Sequence, residues 1–216
     1  MVMQIIDLES WPRKDSFEFF NTYHDPQFNV CANVTITKTY EFFQTREISK
    51  FIGMLWLLSN AANAVKEIRC RIKGETVVQH QKVHPSFTWL NDDKTLTFCH
   101  AEYVNDVAVF FVNVQKSVAR VEPNPGVADN KERDDVLYIS CIPWINFTSV
   151  SHPFRLDDTR SIPRITWGQF FQDRGQWLMP VSIQLHHGLA DGYHIGLFFE
   201  HLQAGLNQPE DTSWPL

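Results

Sequence analysis

The clearest pattern in the chain is an alternation at 176–185. Trp177, Met179, Val181, Ile183 and Leu185 occupy one parity, and Gln176, Pro180, Ser182 and Gln184 fall on the other. Period two over ten positions predicts a strand with one strongly apolar face. After it come His186-His187-Gly188-Leu189-Ala190-Asp191-Gly192, then Ile195, Phe198, Phe199, Leu202 and Leu206 at helical spacing. A second helical pattern runs over 47–68, where Ile48, Phe51, Ile52, Leu55, Leu58, Ala62 and Val65 predict a long, deeply buried helix.

The remaining elements are shorter. Pro12 ahead of a charged, aromatic run predicts a helical turn over 15–23. The β-branched stretch 29–40 reads as a strand, as do 74–83, 86–89, 94–101, 136–141 and 163–167, while 105–121 reads as a helix whose Val and Phe content leaves a strand open. Segment 122–135 carries two prolines, a glycine and dense charge, and reads as a solvated surface loop, with a domain linker as the alternative. No internal repeat is visible. The mixed order predicts an α+β fold, a two-layer α/β sandwich with a mixed sheet, as one domain over 1–216.

Composition narrows the function classes. The chain has 216 residues, is 44% hydrophobic and carries a formal net charge of −6. A net negative charge argues against a protein that grips nucleic-acid backbones. The longest apolar run, 51–58, is far short of the ~20 residues of a spanning helix, and the start lacks the basic, then apolar, pattern of a signal peptide. Cys31, Cys70, Cys99 and Cys141 are scattered, which reads as free thiols in a reducing cytoplasm, neither a disulfide framework nor a zinc site. His80 and His84 have ligand spacing only on a shared helix, which Pro85 argues against, so no metal is expected.

The chemistry concentrates at the end of the alternating strand. If the strand runs one residue further, His187 shares the parity of Leu185 and points toward a dry interior, with His186 turned the other way. A neutral imidazole in such a place can take a proton from a hydroxyl or thiol if one ring nitrogen is held by a fixed hydrogen bond. Asp191, ahead of Gly192, can anchor the turn or pair with a buried cation. A strand-end histidine with an Asp-Gly turn and no chemistry is the plainer alternative.

His186-His187-Gly188-Leu189-Ala190-Asp191-Gly192 resembles the H-H-x-x-x-D-G signature of coenzyme A-dependent acyltransferases. The chain is similar to the chloramphenicol acetyltransferase family over nearly its whole length. The match includes Trp11-Pro12-Arg13-Lys14-Asp15-Ser16-Phe17-Glu18-Phe19-Phe20, Val83-His84-Pro85-Ser86-Phe87-Thr88 and Pro143-Trp144-Ile145-Asn146-Phe147-Thr148-Ser149. The resemblance implies a homotrimer with active sites between subunits, acetyl-CoA as co-substrate and a small-molecule hydroxyl acceptor. It implies His187 as general base, Ser149 as the oxyanion donor and Arg13–Asp191 as a structural pair, for which the forked guanidinium suits a bidentate contact. Phe20, Phe28, Thr88, Phe98 and Thr166 would line the acceptor pocket, Thr166 near a water, and Phe170 would hold the adenine end of coenzyme A.

Departures from the family pattern are Phe20 where tyrosine is common, Ala190 for a cysteine, Gln169 for a lysine, and the stretch 150–155 after Ser149. The rival readings are a dihydrolipoyl-type acyltransferase domain, which usually has Asp before the catalytic histidine and appended lipoyl domains, and a non-catalytic ligand-binding relative. Condensation domains of peptide synthetases share the signature but need about twice the length.

Overall fold

A computed structural model describes residues 3–121, 133–153 and 161–215 of the chain. In chain order its elements are β1 (Met3–Ile6), α1 (Lys14–Asn21), β2 (Gln27–Thr35), α2 (Thr37–Thr45), α3 (Lys50–Ala64), β3 (Cys70–Lys73), β4 (Thr76–His80), β5 (His84–Leu90) and β6 (Leu96–His100). They continue with α4 (Val107–Val118), β7 (Val136–Ile142), β8 (Arg164–Gly168), β9 (Phe171–Asp173), β10 (Gln176–His186) and α5 (Gly192–Asn207).

Seven strands form one mixed sheet in the order β2-β10-β8-β7-β5-β6, with β9 beside the start of β10. β10 runs antiparallel to β2 and β8, while β7 is parallel to both β8 and β5. The mixed sheet and its helical layer match the predicted sandwich. A three-stranded sheet, β1-β4-β3, adds a part that the hydrophobic pattern did not announce.

Parity decides where the core lies. Met179, Val181, Ile183 and Leu185 of β10 are all almost fully buried in a cluster with α3 and α5. α3 buries an unbroken run from Ile52 to Ser59, so it is a central helix and not an amphipathic surface one. Ile195, Phe198, Leu202 and Leu206 of α5 complete the layer. The opposite parity of β10 is polar yet buried too: Ser182, Gln184 and His186 are each under 5% exposed. Buried polar side chains need partners, and these find them in the site described below.

Several expected boundaries move. The strand read over 29–40 stops at Thr35, and Thr37–Thr45 is helix instead. Its β-branched and aromatic residues favour strand locally, but docking overrides them: Thr39 Oγ1 donates to the Leu206 carbonyl at 2.6 Å, and Phe43 is buried. The strand read over 74–83 begins earlier, as a hairpin turned by Gly74 at φ +58°, a left-handed backbone suited to glycine. Residues 122–132 of the expected loop lie outside the described residues; its end, Arg133 to Asp135, is described. Among the described residues no helix is long and apolar enough to cross a membrane.

Candidate active site

α1 positions the first half of the site. Arg13 precedes its first turn, Phe17 is buried beneath it and Phe20 follows one turn on. The helix lies directly on the turn after β10. A Cβ at Gly188 would sit 3.2 Å from the Phe17 Cα and from the His186 ring, so the close approach depends on glycine.

His186 ends β10 and is buried, its Nδ1 accepting the Gly188 N–H at 3.2 Å. His187 opens the turn. Its N–H donates to the Pro26 carbonyl at 2.8 Å, and its own carbonyl accepts from Arg13 Nη2 at 3.3 Å. The imidazole is sandwiched. Phe20 stacks at 3.9 Å between centroids with the planes 10° apart, and Phe28 of β2 closes the other side at 4.3 Å and 30°. Nδ1 of His187 is buried and has no hydrogen-bond partner among the described residues. The expected fixed hydrogen bond to a ring nitrogen is therefore replaced by two aromatic faces and a pinned backbone.

Asp191 does two jobs. As N-cap of α5 its Oδ1 accepts the Tyr193 N–H at 3.0 Å and lies 2.9 Å from His194 Nδ1, closing a capping box. Its Oδ2 accepts from Arg13 Nη1 at 2.7 Å. Burial pushes this carboxyl up, but Arg13 and His194 outweigh it and hold it at about 2. The expected bidentate pair is corrected: the Arg13 fork divides, one arm on Asp191 and one on the His187 carbonyl. Arg13 thus ties α1, the histidine turn and the start of α5 together.

Ser149 is exposed on the segment that follows β7. Where that segment crosses the polar face of the sheet, side chains hold it. Asn29 Nδ2 donates to the Val150 carbonyl, and Ser182 Oγ donates to Asn29 Oδ1 at 2.7 Å. Gln184 clamps His152 twice, accepting its N–H at 3.0 Å and donating to its carbonyl at 3.3 Å. The His152 ring Nε2 meets Thr166 Oγ1 at 2.6 Å. Burial, with the charge of Arg164, lowers the pKa of this imidazole. Sequence patterning does not mark Asn29, Ser182, Gln184 or His152 as site residues. Their one sequence-level signal was a run of polar residues on the second parity of β10.

The remaining expected pocket residues separate. Phe20 and Phe28 touch His187, and Thr166 is fully buried one strand from β10. Thr88 and Phe98 are register partners on β5 and β6. β5 lies three strands from β10, roughly 14 Å at the usual strand spacing. One chain alone does not bring those two residues to His187. Phe170 lines a pocket of about 520 Å³ with Tyr40, Lys50, Trp167, Gln169 and Trp177. Tyr40 stacks on Trp177 at 4.1 Å, and Lys50 Nζ lies 4.4 Å from the Tyr40 centroid. Cys141 shares this pocket, and burial pushes its thiol up to about 12, far from a nucleophilic thiolate. Gly168 at its base lets the chain after β7 pass close, since a Cβ there would lie 2.6 Å from the Ile145 carbonyl. His80 and His84 stand on different strands and face different groups, Asp134 at 3.3 Å and Glu102 at 3.1 Å.

A mixed sheet that presents His-His-x-x-x-Asp-Gly from the end of β10, braced by an arginine at the start of the first helix, defines a coenzyme A-dependent acyltransferase type of fold. The family model for chloramphenicol acetyltransferase matches residues 1–203, and the chain belongs to that family. The chloramphenicol acetyltransferase of Clostridium perfringens is 28% identical over 211 residues, covering 94% of each chain. Chloramphenicol acetyltransferase 3 of Escherichia coli is 26% identical over 203 residues, covering 93% of this chain and 95% of that protein. A solved chloramphenicol acetyltransferase superposes with a TM-score of 0.87 at 25% identity, over 95% of this chain and all of that one. The cubic core of a pyruvate dehydrogenase multienzyme complex shares the fold at TM-score 0.65 and 10% identity, over 91% of this chain and 87% of that chain. The family assignment separates this chain from the dihydrolipoyl-type alternative.

Proposed function

We propose that residues 1–216 form one acyltransferase domain that moves the acetyl group of acetyl-CoA directly to a hydroxyl of chloramphenicol, a reaction that inactivates the antibiotic. His187 takes the hydroxyl proton as the oxygen attacks the thioester carbonyl. Ser149 donates a hydrogen bond to the oxyanion of the tetrahedral intermediate. The intermediate collapses with cleavage of the C–S bond, and the coenzyme A sulfur leaves with the proton returned from His187. No acetyl-enzyme forms.

The observation that carries this reading is the His187 ring, clamped between Phe20 and Phe28 with a buried nitrogen unpartnered among the described residues. Such a base is oriented before substrate arrives, which suits proton abstraction in a general-base step. The shut-down Cys141 thiol supports direct transfer over a thioester intermediate at that residue. The aromatic pocket around Phe170, with Lys50 beside it, suits an adenine ring and the phosphates of coenzyme A.

A homotrimer with shared sites accounts for the separated pocket residues. A second copy would bring its Thr88 and Phe98 to His187, and the exposed Leu90, Leu96 and Phe98 supply apolar surface for it to cover. Function in the cytoplasm fits this reading, since both the thiols and acetyl-CoA belong to a reducing interior. The test is free-thiol release from acetyl-CoA by the purified protein. Release that requires chloramphenicol supports the reading. Background release with chloramphenicol present overturns it.

A further inference from the structure

The segment after Ser149 departs from the family pattern, and there the chain places a histidine with three hydrogen bonds. His152 donates its N–H to Gln184 Oε1, its carbonyl accepts from Gln184 Nε2, and its ring Nε2 pairs with Thr166 Oγ1. Gln184 and Thr166 belong to β10 and β8, which are hydrogen-bonded to each other. Gln184 stands opposite Asn29 on β2, and Asn29 holds the Val150 carbonyl. Residues 150–152 therefore lie on the sheet like an extra strand whose ladder is made by side chains. Ser149 is the next residue, exposed and without a side-chain hydrogen bond among the described residues.

We infer that His152 is a positioning residue for Ser149: by locking the strap to β8 and β10, it fixes where the Ser149 hydroxyl meets the developing oxyanion. The inference rests on the acetyl-transfer reading above. The direction of its ring bond follows from burial. Thr166 is fully buried, and its hydroxyl has no other hydrogen-bond partner among the described residues. An undonated buried O–H is costly, so Thr166 donates and the neutral His152 Nε2 accepts. A hydrogen bond at 2.6 Å between a strand and a strap restrains the strap without contributing any atom to the reaction. Oxyanion donors act only when preorganised, and removing one costs ~10²–10³ in rate. Loosening its support forfeits part of that sum.

The experiment measures thiol release for wild type, His152→Ala, Thr166→Val, Ser149→Ala and the double variant Ser149→Ala/His152→Ala, each checked for an unchanged thermal midpoint. The expected result is a roughly 10-fold fall in kcat for His152→Ala with KM for both substrates nearly constant, partial rescue in His152→Gln, and less than about a twofold further loss when His152→Ala is added to Ser149→Ala. Thr166→Val, which removes both the partner of His152 and an expected pocket hydroxyl, should lower kcat at least as far as His152→Ala. An active wild type whose kcat is untouched by His152→Ala, or equal losses with and without Ser149, overturns the positioning role and leaves the acetyl-transfer reading standing. A wild type with no thiol release overturns that reading, and this inference with it. Imidazole ¹⁵N spectra give a readout independent of turnover: His152 should carry its proton on Nδ1, and a proton on Nε2 contradicts the inferred bond.

Discussion

His187 lies between two phenyl rings with Nδ1 unpartnered among the described residues, whereas His80, His84 and His100, like His194 beside Asp191, each face a carboxylate. His80 meets Asp134 at 3.3 Å, His84 meets Glu102 at 3.1 Å, and His100 meets Glu102 at 3.2 Å. In that second region Arg133 binds Asp135 at 2.8 Å and Glu102 at 2.6 Å, and Lys73 binds Asp134 at 3.0 Å. Arg71, buried entirely, spends its donors on the carbonyls of Ile68, Cys70, Asp134 and Val136. The ionic region ties the start of β7 to β3, β4 and β5. The aromatic region leaves one imidazole oriented but uncommitted. A histidine already matched to fixed carboxylates is committed to structure, while His187, held by its backbone and two ring faces, keeps a ring nitrogen unpartnered among the described residues.

The largest effect should come from breaking the aromatic side of this contrast. His187→Ala is expected to lower kcat by roughly 10²–10⁴, the range of a lost general base. Its thermal midpoint should fall only by the stacking lost between Phe20 and Phe28, a loss too small to unfold the protein at assay temperature. Steady-state thiol release and a melting curve on the same sample check both halves. Asp134→Asn should show the reverse. It removes the carboxylate that serves Lys73 and the buried His80, at a cost of about 1–3 kcal/mol in urea unfolding with kcat preserved. A fall in kcat without a fall in stability would break the comparison.

How far the sequence carried this picture depends on where the determining contacts lie. The histidine turn was legible because its cues are local: alternation up to Leu185, then the Asp-Gly cap of a helix. Its resemblance to a family added Ser149 and Arg13. The flanking of His187 by Phe20 and Phe28 is a different matter, since three distant segments converge there and no periodicity reports it. The same holds for His152, whose partners Thr166 and Gln184 sit on neighbouring strands. The first turn of α2, 37–40, reads as strand because Thr37, Thr39 and Tyr40 favour extended backbone locally, and docking against α5 reverses that preference.

The smallest expected effect is a pH dependence of stability set by the ionic region. Burial, with Arg133, outweighs the pull of Glu102 and Asp135 and lowers the pKa values of His84 and His100 from the ordinary 6.5. The unfolded chain then binds protons first as acid is added. Their contribution is complete above about pH 6.5 and is lost as pH falls below it. Asp134, Asp135 and Glu102 are buried in part, yet their cationic neighbours hold them below the usual carboxylate range, so their contribution is lost at still lower pH. Urea midpoints should decline modestly from pH 7 to pH 5. A flat or rising profile would contradict the described geometry of this region.

Direct transfer to the acceptor with His187 as base is most sharply tested by rapid mixing of concentrated enzyme with acetyl-CoA, with and without chloramphenicol, while thiol is followed. The account predicts no thiol burst from acetyl-CoA alone, release only when chloramphenicol is present, and loss of that release in His187→Ala. A burst stoichiometric with enzyme in the absence of acceptor, or full release surviving the His187 substitution, would contradict it.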